Sequence, residues 1–282
     1  LSGRAMFLSR YNAYGGLGSW LTGRMTPAAF ETAKPDPVSY LDRLAASDLG
    51  RSYKRRMLDE LDLRAGHRVL DLGCGPGTDL QALARAVTST GAVIGFDHDQ
   101  NMVDAARTRT AGQAMVDVRH ADIHDLPVPD HTADRARTDR VLQHVADPLT
   151  ALGEIRRVLR PGGRLVMGEP DWETLAVDHP DSNLTRVYTR HIAERVVRNA
   201  GIGRQLARLA AESGFTVPTV IPVTPLFRDV QVADRILGLE RTTRRAVEAG
   251  YFSDRAAEAW LSHLTRGPFF AAVTFYIVVA EV

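Results

Sequence analysis

Between residues 67 and 168, strand-length apolar runs alternate with helix-length segments that carry an apolar stripe, and this alternation leaves few folds open. The strands read as 67–72, 92–97, 114–120, 134–139 and 163–168. A helix over 79–87 puts Leu80, Leu83, Ala84 and Val87 on one face, and one over 148–159 does the same with Ala151, Leu152, Ile155, Val158 and Leu159. Asp147 is its N-cap with Pro148 in its first turn, and Arg160-Pro161-Gly162-Gly163 turns the chain into the next strand. Strands joined by such helices predict a parallel sheet. The flanks are looser. Residues 1–66 read as helical but irregular, with helices also expected over 182–199, 204–213, 232–249 and 254–265. A strand is expected at 219–223 and a β-rich end over 270–282. The expected organisation is a helical arm or lid over 1–66, then one sheet domain over 67–282 with helical insertions at about 171–214 and 232–265.

The first strand runs into its helix through Val69-Leu70-Asp71-Leu72-Gly73-Cys74-Gly75-Pro76-Gly77-Thr78-Asp79. Gly73, Gly75 and Gly77 let the backbone approach a ligand, and the helix N-terminus beyond them offers unpaired N–H groups. A dinucleotide loop spaces its third glycine one residue later. Asp71 is also wrong for cradling a pyrophosphate, since like charges repel, but right for accepting from an ammonium group. That points to an adenosyl amino acid. Asp97, twenty residues after Gly77 and followed by His98, can accept both hydroxyls of a ribose. Met102 can pack on an adenine, whose amino group and ring nitrogens suit Asp122 and the Ile123 backbone. Cys74 reads as a small space-filler rather than a nucleophile.

The stretches VLDLGCGPGTD, GFDHDQNMVDAAR, HADIHDLPVPD, DRARTDRVLQHVADP and RPGGRLVMGEP together resemble the class I S-adenosylmethionine-dependent methyltransferases, chiefly over 67–170. The resemblance implies an α/β Rossmann-like sheet of seven mostly parallel strands, the last antiparallel, with S-adenosyl-L-methionine as cofactor and S-adenosyl-L-homocysteine as its product. It also places Thr138 to Val141 beside the sulfonium, with Arg140 within reach of the ligand carboxylate. One departure stands out: Arg135 and Arg137 charge the fourth strand where the family is apolar, and are expected to cap or pair outside the core.

Methyl transfer needs alignment above all and a base only for some acceptors, so the acceptor side is harder to read. Candidate catalytic residues are Tyr11, Glu169 and His191, and candidate substrate contacts are Tyr14, Asp171, Trp172 and Tyr188. His144 reads as a packing or helix-start residue, and Lys54-Arg55-Arg56 as a solvated helix face. His120, Asp122, His124 and His131 lack the spacing of a metal site. A net charge of +1 disfavours nucleic acid, and Cys74 is the only cysteine, which excludes an internal disulfide. No run is long and apolar enough for a membrane span, and Arg10, Asn12 and Tyr14 interrupt any signal-like start. Because residue 1 is Leu, residues are expected to precede it. The expectation is a cytoplasmic enzyme, a homodimer by default, methylating a small aromatic or polycyclic metabolite of secondary metabolism. The alternatives are non-methylating chemistry such as cyclisation in the same cofactor site, and a non-catalytic binding or regulatory protein.

Overall fold

The computed structural model describes residues 30–31 and 35–282. Two helices, α1 (Pro37–Ala46) and α2 (Asp48–Glu60), lead into β1 (Arg68–Leu72), α3 (Leu80–Val87), β2 (Ala92–Asp97), α4 (Gln100–Arg109), β3 (Val116–His120) and β4 (Ala133–Asp139). Then come α5 (Pro148–Val158), β5 (Leu159–Val177), α6 (Ser182–His191) with a π turn at Ile192–Val196, α7 (Ile202–Glu212), β6 (Thr216–Val223) and β7 (Leu226–Phe227). Helices α8 (Val230–Leu237), α9 (Leu239–Glu248) and α10 (Asp254–Arg266) precede the last strand, β8 (Ala271–Glu281).

The strands lie in the order β3-β2-β1-β4-β5-β8-β6, and β7 pairs with β8 off that path. The ladders from β3 to β5 are parallel, whereas β8 runs antiparallel to both β5 and β6. The seven expected strands are therefore present, with an eighth of two residues beside Ala271 and Ala272. One face of the sheet is covered by α2, α3 and α4 through Met57, Leu61, Leu80, Leu83 and Val103. The other is covered by α5 and α7 through Leu152, Ile155, Ile202 and Leu206. A third cluster, centred on Tyr188 and Trp260, holds the later helices together.

Several boundaries differ from the sequence reading, each for a physical reason. Strand β5 does not stop at Gly168, because β8 pairs with it as far as Val177↔Ala271. Helix α7 packs on the sheet, so the insertion expected over 171–214 narrows to 178–200. The helix expected over 182–199 ends early: Val197 is extended, and its N–H closes a π turn on the Ile192 carbonyl. The helix expected over 232–249 breaks at Gly238, whose left-handed φ of 63° ends α8 and starts α9. Of the expected lid over 1–66, α2 belongs to the sheet core. Among the described residues no helix is long and apolar enough to cross a membrane.

Candidate active site

A cavity of about 660 Å³ opens where the carboxyl ends of β1 to β4 meet α1 and the later helices. A second hollow of about 570 Å³ is lined by Arg68, Ala92, Asp117 and Pro127 among others, largely at the amino ends of the strands. Ligands of open α/β sheets bind at the carboxyl ends, so the first cavity is the candidate.

The glycine loop enters this cavity in left-handed conformations, with φ of 70° at Gly73 and 53° at Gly75. Gly73 and Cys74 both donate from their N–H groups to the Phe96 carbonyl, at 2.8 Å each. Asp97 ties the loop to the end of β2: its Oδ2 accepts from Gly75 N at 2.8 Å and its Oδ1 from Asp99 N at 3.0 Å. Gly73, Gly75, Asp97, His98, Met102, Asp122 and Ile123 all line the cavity, so the structure brings most of the expected cofactor residues together. Asp122 also accepts from the His124 backbone at 2.9 Å and contacts its ring at 2.6 Å, which holds its carboxyl below the usual range. Cys74, Gly77 and Thr138 are not lining residues. Burial pushes the Cys74 thiol far up, which suits an inert filler.

Asp71 requires a correction. It is buried beneath the loop instead of lining the cavity, with Arg137 Nε 3.6 Å from its Oδ1. Burial pushes its pKa up to about 6 against the opposing pull of Arg137. Arg137 does not pair outside the core: only 1% exposed, it reaches Asp79 at 2.9 Å and Asp139 at 3.2 Å. Arg135 is buried too, donating to the Leu61 carbonyl at 2.6 Å and the Asp134 carbonyl at 2.9 Å. Nor is Lys54 a solvated charge. It joins Asp79 and Asp139 from the buried face of α2, and Tyr53 beside it bonds Asp139 at 3.3 Å. Three acids and the cations Lys54, Arg137 and Arg140 thus form a balanced cluster under the cavity floor. Its surface toward the cavity is Asp139 and Arg140. Asp139 Oδ1 and Arg140 Nε are buried and stand 3.5 Å apart as an ion pair, with no hydrogen bond to either atom among the described residues.

The loop after β4 carries Arg140, itself at a left-handed φ of 58°, and then Val141, Gln143 and His144 along the cavity wall. Glu169 braces it: one carboxyl oxygen accepts from Val141 N at 2.7 Å and Leu142 N at 2.6 Å. Fully buried and absent from the cavity wall, Glu169 is a positioning residue and not the expected base. Burial raises its pKa to about 8, against the two N–H bonds that favour the charge. A carboxyl whose folded pKa lies above its unfolded one contributes stability at low pH that fades as pH rises through that window. Glu169→Gln is therefore expected to gain more in melting temperature over wild type at pH 9 than at pH 6, read by calorimetry. An equal change at both pH values would refute the raised pKa.

The opposite wall is apolar: Leu44, Trp172, Phe227, Leu237, Val273 and Phe275 line it. Trp172 is held by donation from Nε1 to Gln143 Oε1 at 2.8 Å. The other acceptor-side candidates fall elsewhere. Tyr188 is core, stacked on Trp260 at 5.1 Å, and His191 is buried against Tyr251. Asp171 is buried in an ion pair with Arg204. Tyr11 and Tyr14 lie outside the described residues. The sequence reading missed Tyr40, Tyr53 and Gln143, whereas Asp139 falls within the stretch it set beside the sulfonium. Only topology brings α1 and α2 over the strand ends.

Residues 70–167 match the model of a family described as a methyltransferase domain. The chain is 61% identical over 258 residues to an uncharacterized 37.1 kDa protein in transposon TN4556 of Streptomyces fradiae, a match covering 92% of this chain and 75% of that one. It is 35% identical over 137 residues to a demethylmenaquinone methyltransferase of Staphylococcus aureus. That match covers 49% of this chain and 57% of the relative, so the chain spans less than two thirds of its length. Among solved structures, a SAM-dependent methyltransferase from Aquifex aeolicus has a similar fold, with a TM-score of 0.53 at 18% identity over 88% of this chain and all of the other.

Proposed function

The chain belongs to the class I S-adenosylmethionine-dependent methyltransferases, and from that premise we propose that it methylates a small, largely apolar acceptor of aromatic or polycyclic type. The observation that carries this reading is the single cavity in which strand-end polar groups face a wall of Trp172, Phe227, Leu237 and Phe275. The similarity to a demethylmenaquinone methyltransferase supports a small-molecule acceptor.

When bound, S-adenosylmethionine supplies a methyl group already activated by its sulfonium. Gly73, Gly75, Asp97, Met102, Asp122 and Ile123 would hold its nucleoside, and Asp139 with Arg140 its amino-acid end. The apolar wall would orient the acceptor and exclude water. Such alignment is worth up to roughly 7–11 kcal/mol of barrier, so no covalent work by the protein is required.

Calorimetric titration with S-adenosylhomocysteine, using NADH as control, tests the cofactor half. Asp97→Ala removes the ribose acceptor and frees Gly75 N. It is expected to weaken binding by at least about tenfold, the scale of one or two hydrogen bonds to a charged group. Wild-type affinity in the variant, or NADH binding by wild type, would count against the reading. Product analysis with a labelled methyl donor separates methyl transfer from a ring closure in the same site.

A further inference from the structure

Among the cavity-lining groups able to accept a proton, His144 is exposed there and its imidazole makes no hydrogen bond or ion pair among the described residues. Each rival is committed. Asp97 accepts from two backbone N–H groups, and Asp122 holds His124, whose second ring nitrogen faces Asp147 N. Asp139 pairs with Lys54 and Arg137, and Tyr53 bonds Asp139. His98 stands beside Asp97 on the nucleoside side, with a side chain 84% exposed.

The backbone under His144 is fixed. Its own N–H donates to the Val141 carbonyl at 2.9 Å. The Asn199 side chain donates to the carbonyls on either side, Leu142 at 2.8 Å and Val145 at 2.9 Å. Glu169 holds the two preceding N–H groups, and Gln143 is locked to Trp172. A rigid loop presenting an uncommitted ring is what a general base needs, since the proton must be met at hydrogen-bond distance. The ring is also in the right state. Desolvation first, and then the positive charges of Arg140 and His98, hold its pKa below the ordinary histidine value, so it is neutral at neutral pH.

We infer that His144 is the general base of this site and that the acceptor carries an ionisable hydroxyl, a phenol or an enol, methylated on oxygen. The inference rests on the methyltransferase reading above and narrows it. In the step, the His144 ring nitrogen takes the hydroxyl proton while the acceptor oxygen forms its bond to the methyl carbon. The carbon–sulfur bond breaks, its electron pair stays on sulfur, and the imidazolium returns its proton to water. The charged and titratable groups around the ring are Arg140 on its own loop and His98 beyond β2; Asp122 and His124 beyond β3 and Arg198 from the insertion line the same cavity.

The test uses the whole chain saturated with S-adenosylhomocysteine and a matched pair of probes, 2-naphthol and its methyl ether. In wild type, 2-naphthol should move the His144 ring signal in nitrogen-15 spectra, assigned by its loss in His144→Gln, and the ether should not. The variant should bind naphthol about fivefold more weakly, the worth of one hydrogen bond, and the ether and S-adenosylhomocysteine unchanged. In wild type the preference for naphthol should fall as the ring protonates below neutral pH, and in the variant it should be flat. If naphthol fails to bind, or binds without moving the ring or sensing the substitution, His144 is not the base. If wild type does not bind S-adenosylhomocysteine, the methyltransferase reading falls, and this inference with it.

Discussion

Arg137→Ala should cost the fold about 3–5 kcal/mol, the penalty for stranding buried charges whose partner has been removed. The guanidinium stands among Asp71, Asp79 and Asp139, all nearly inaccessible, and each would lose a neutralising neighbour at once. Lys54 would remain with Asp79 and Asp139, but Asp71 would lose its only ion-pair partner among the described residues and keep just the weaker pull of Lys54. The midpoint of thermal unfolding should fall by roughly 10 °C for a chain of this size. The same substitution should be milder in an Asp71→Asn background, because the carboxylate left without compensation is then absent. Equal losses in both backgrounds, read by denaturant titration, would show that Arg137 matters for packing and not for charge. The cluster joins α2, the glycine loop and the end of β4, so cofactor affinity should fall along with stability.

That cluster also marks where reading the sequence stopped working. The glycine loop, Asp97, Asp122 and the alternation of strands and helices are local signals, set by residues within one or two elements. They were legible, and the structure gathers them around one cavity. Arg137 looked misplaced because a charge on a central strand is normally excluded, and its three acids come from β1, the start of α3 and its own strand end. Lys54 looked solvated because Arg55 and Arg56 beside it are exposed and nothing in the spacing reveals its distant partners. Ion pairs between residues 85 apart, as Lys54 and Asp139 are, leave no periodic trace. The acceptor side fails for a related reason. Glu169 and Asp171 stand out by nearness to a strand end, and Tyr188 and His191 by their place on an expected lid helix, but burial decides between a reactive group and a brace. The loop after β4 encloses Glu169, α7 brings Arg204 to Asp171, and the later helices cover Tyr188 and His191 through Trp260 and Tyr251.

The largest effect on ligand binding is expected from Gly73→Ala. Its φ of 70° costs an L-residue roughly 1–2 kcal/mol, and the added Cβ would lie 2.3 Å from Val141 Cγ2 and 3.0 Å from Cγ1. Valine is stiff at χ1 and has both methyls and its Cβ on the contact, so rotation away is unfavourable. The loop after β4 must move instead, although Glu169 pins Val141 N and Leu142 N. Arg140, Gln143 and His144 move with it, and Gly75 shifts from Asp97 at the other end of the glycine loop. S-adenosylhomocysteine affinity should fall at least about 100-fold, near 2.8 kcal/mol at 1.4 kcal/mol per tenfold. Val141→Ala alone trims a side chain from the wall and should cost little affinity. Combined with Gly73→Ala it removes the clash and leaves only the backbone strain, so about tenfold of the loss should return. A double-mutant cycle by calorimetry then reads the contact directly, because residues in contact couple and distant ones add. Strict additivity would mean that the glycine serves conformation alone; a coupling near 1.4 kcal/mol would mean that the cofactor loop and the loop carrying His144 are seated against each other through this one contact.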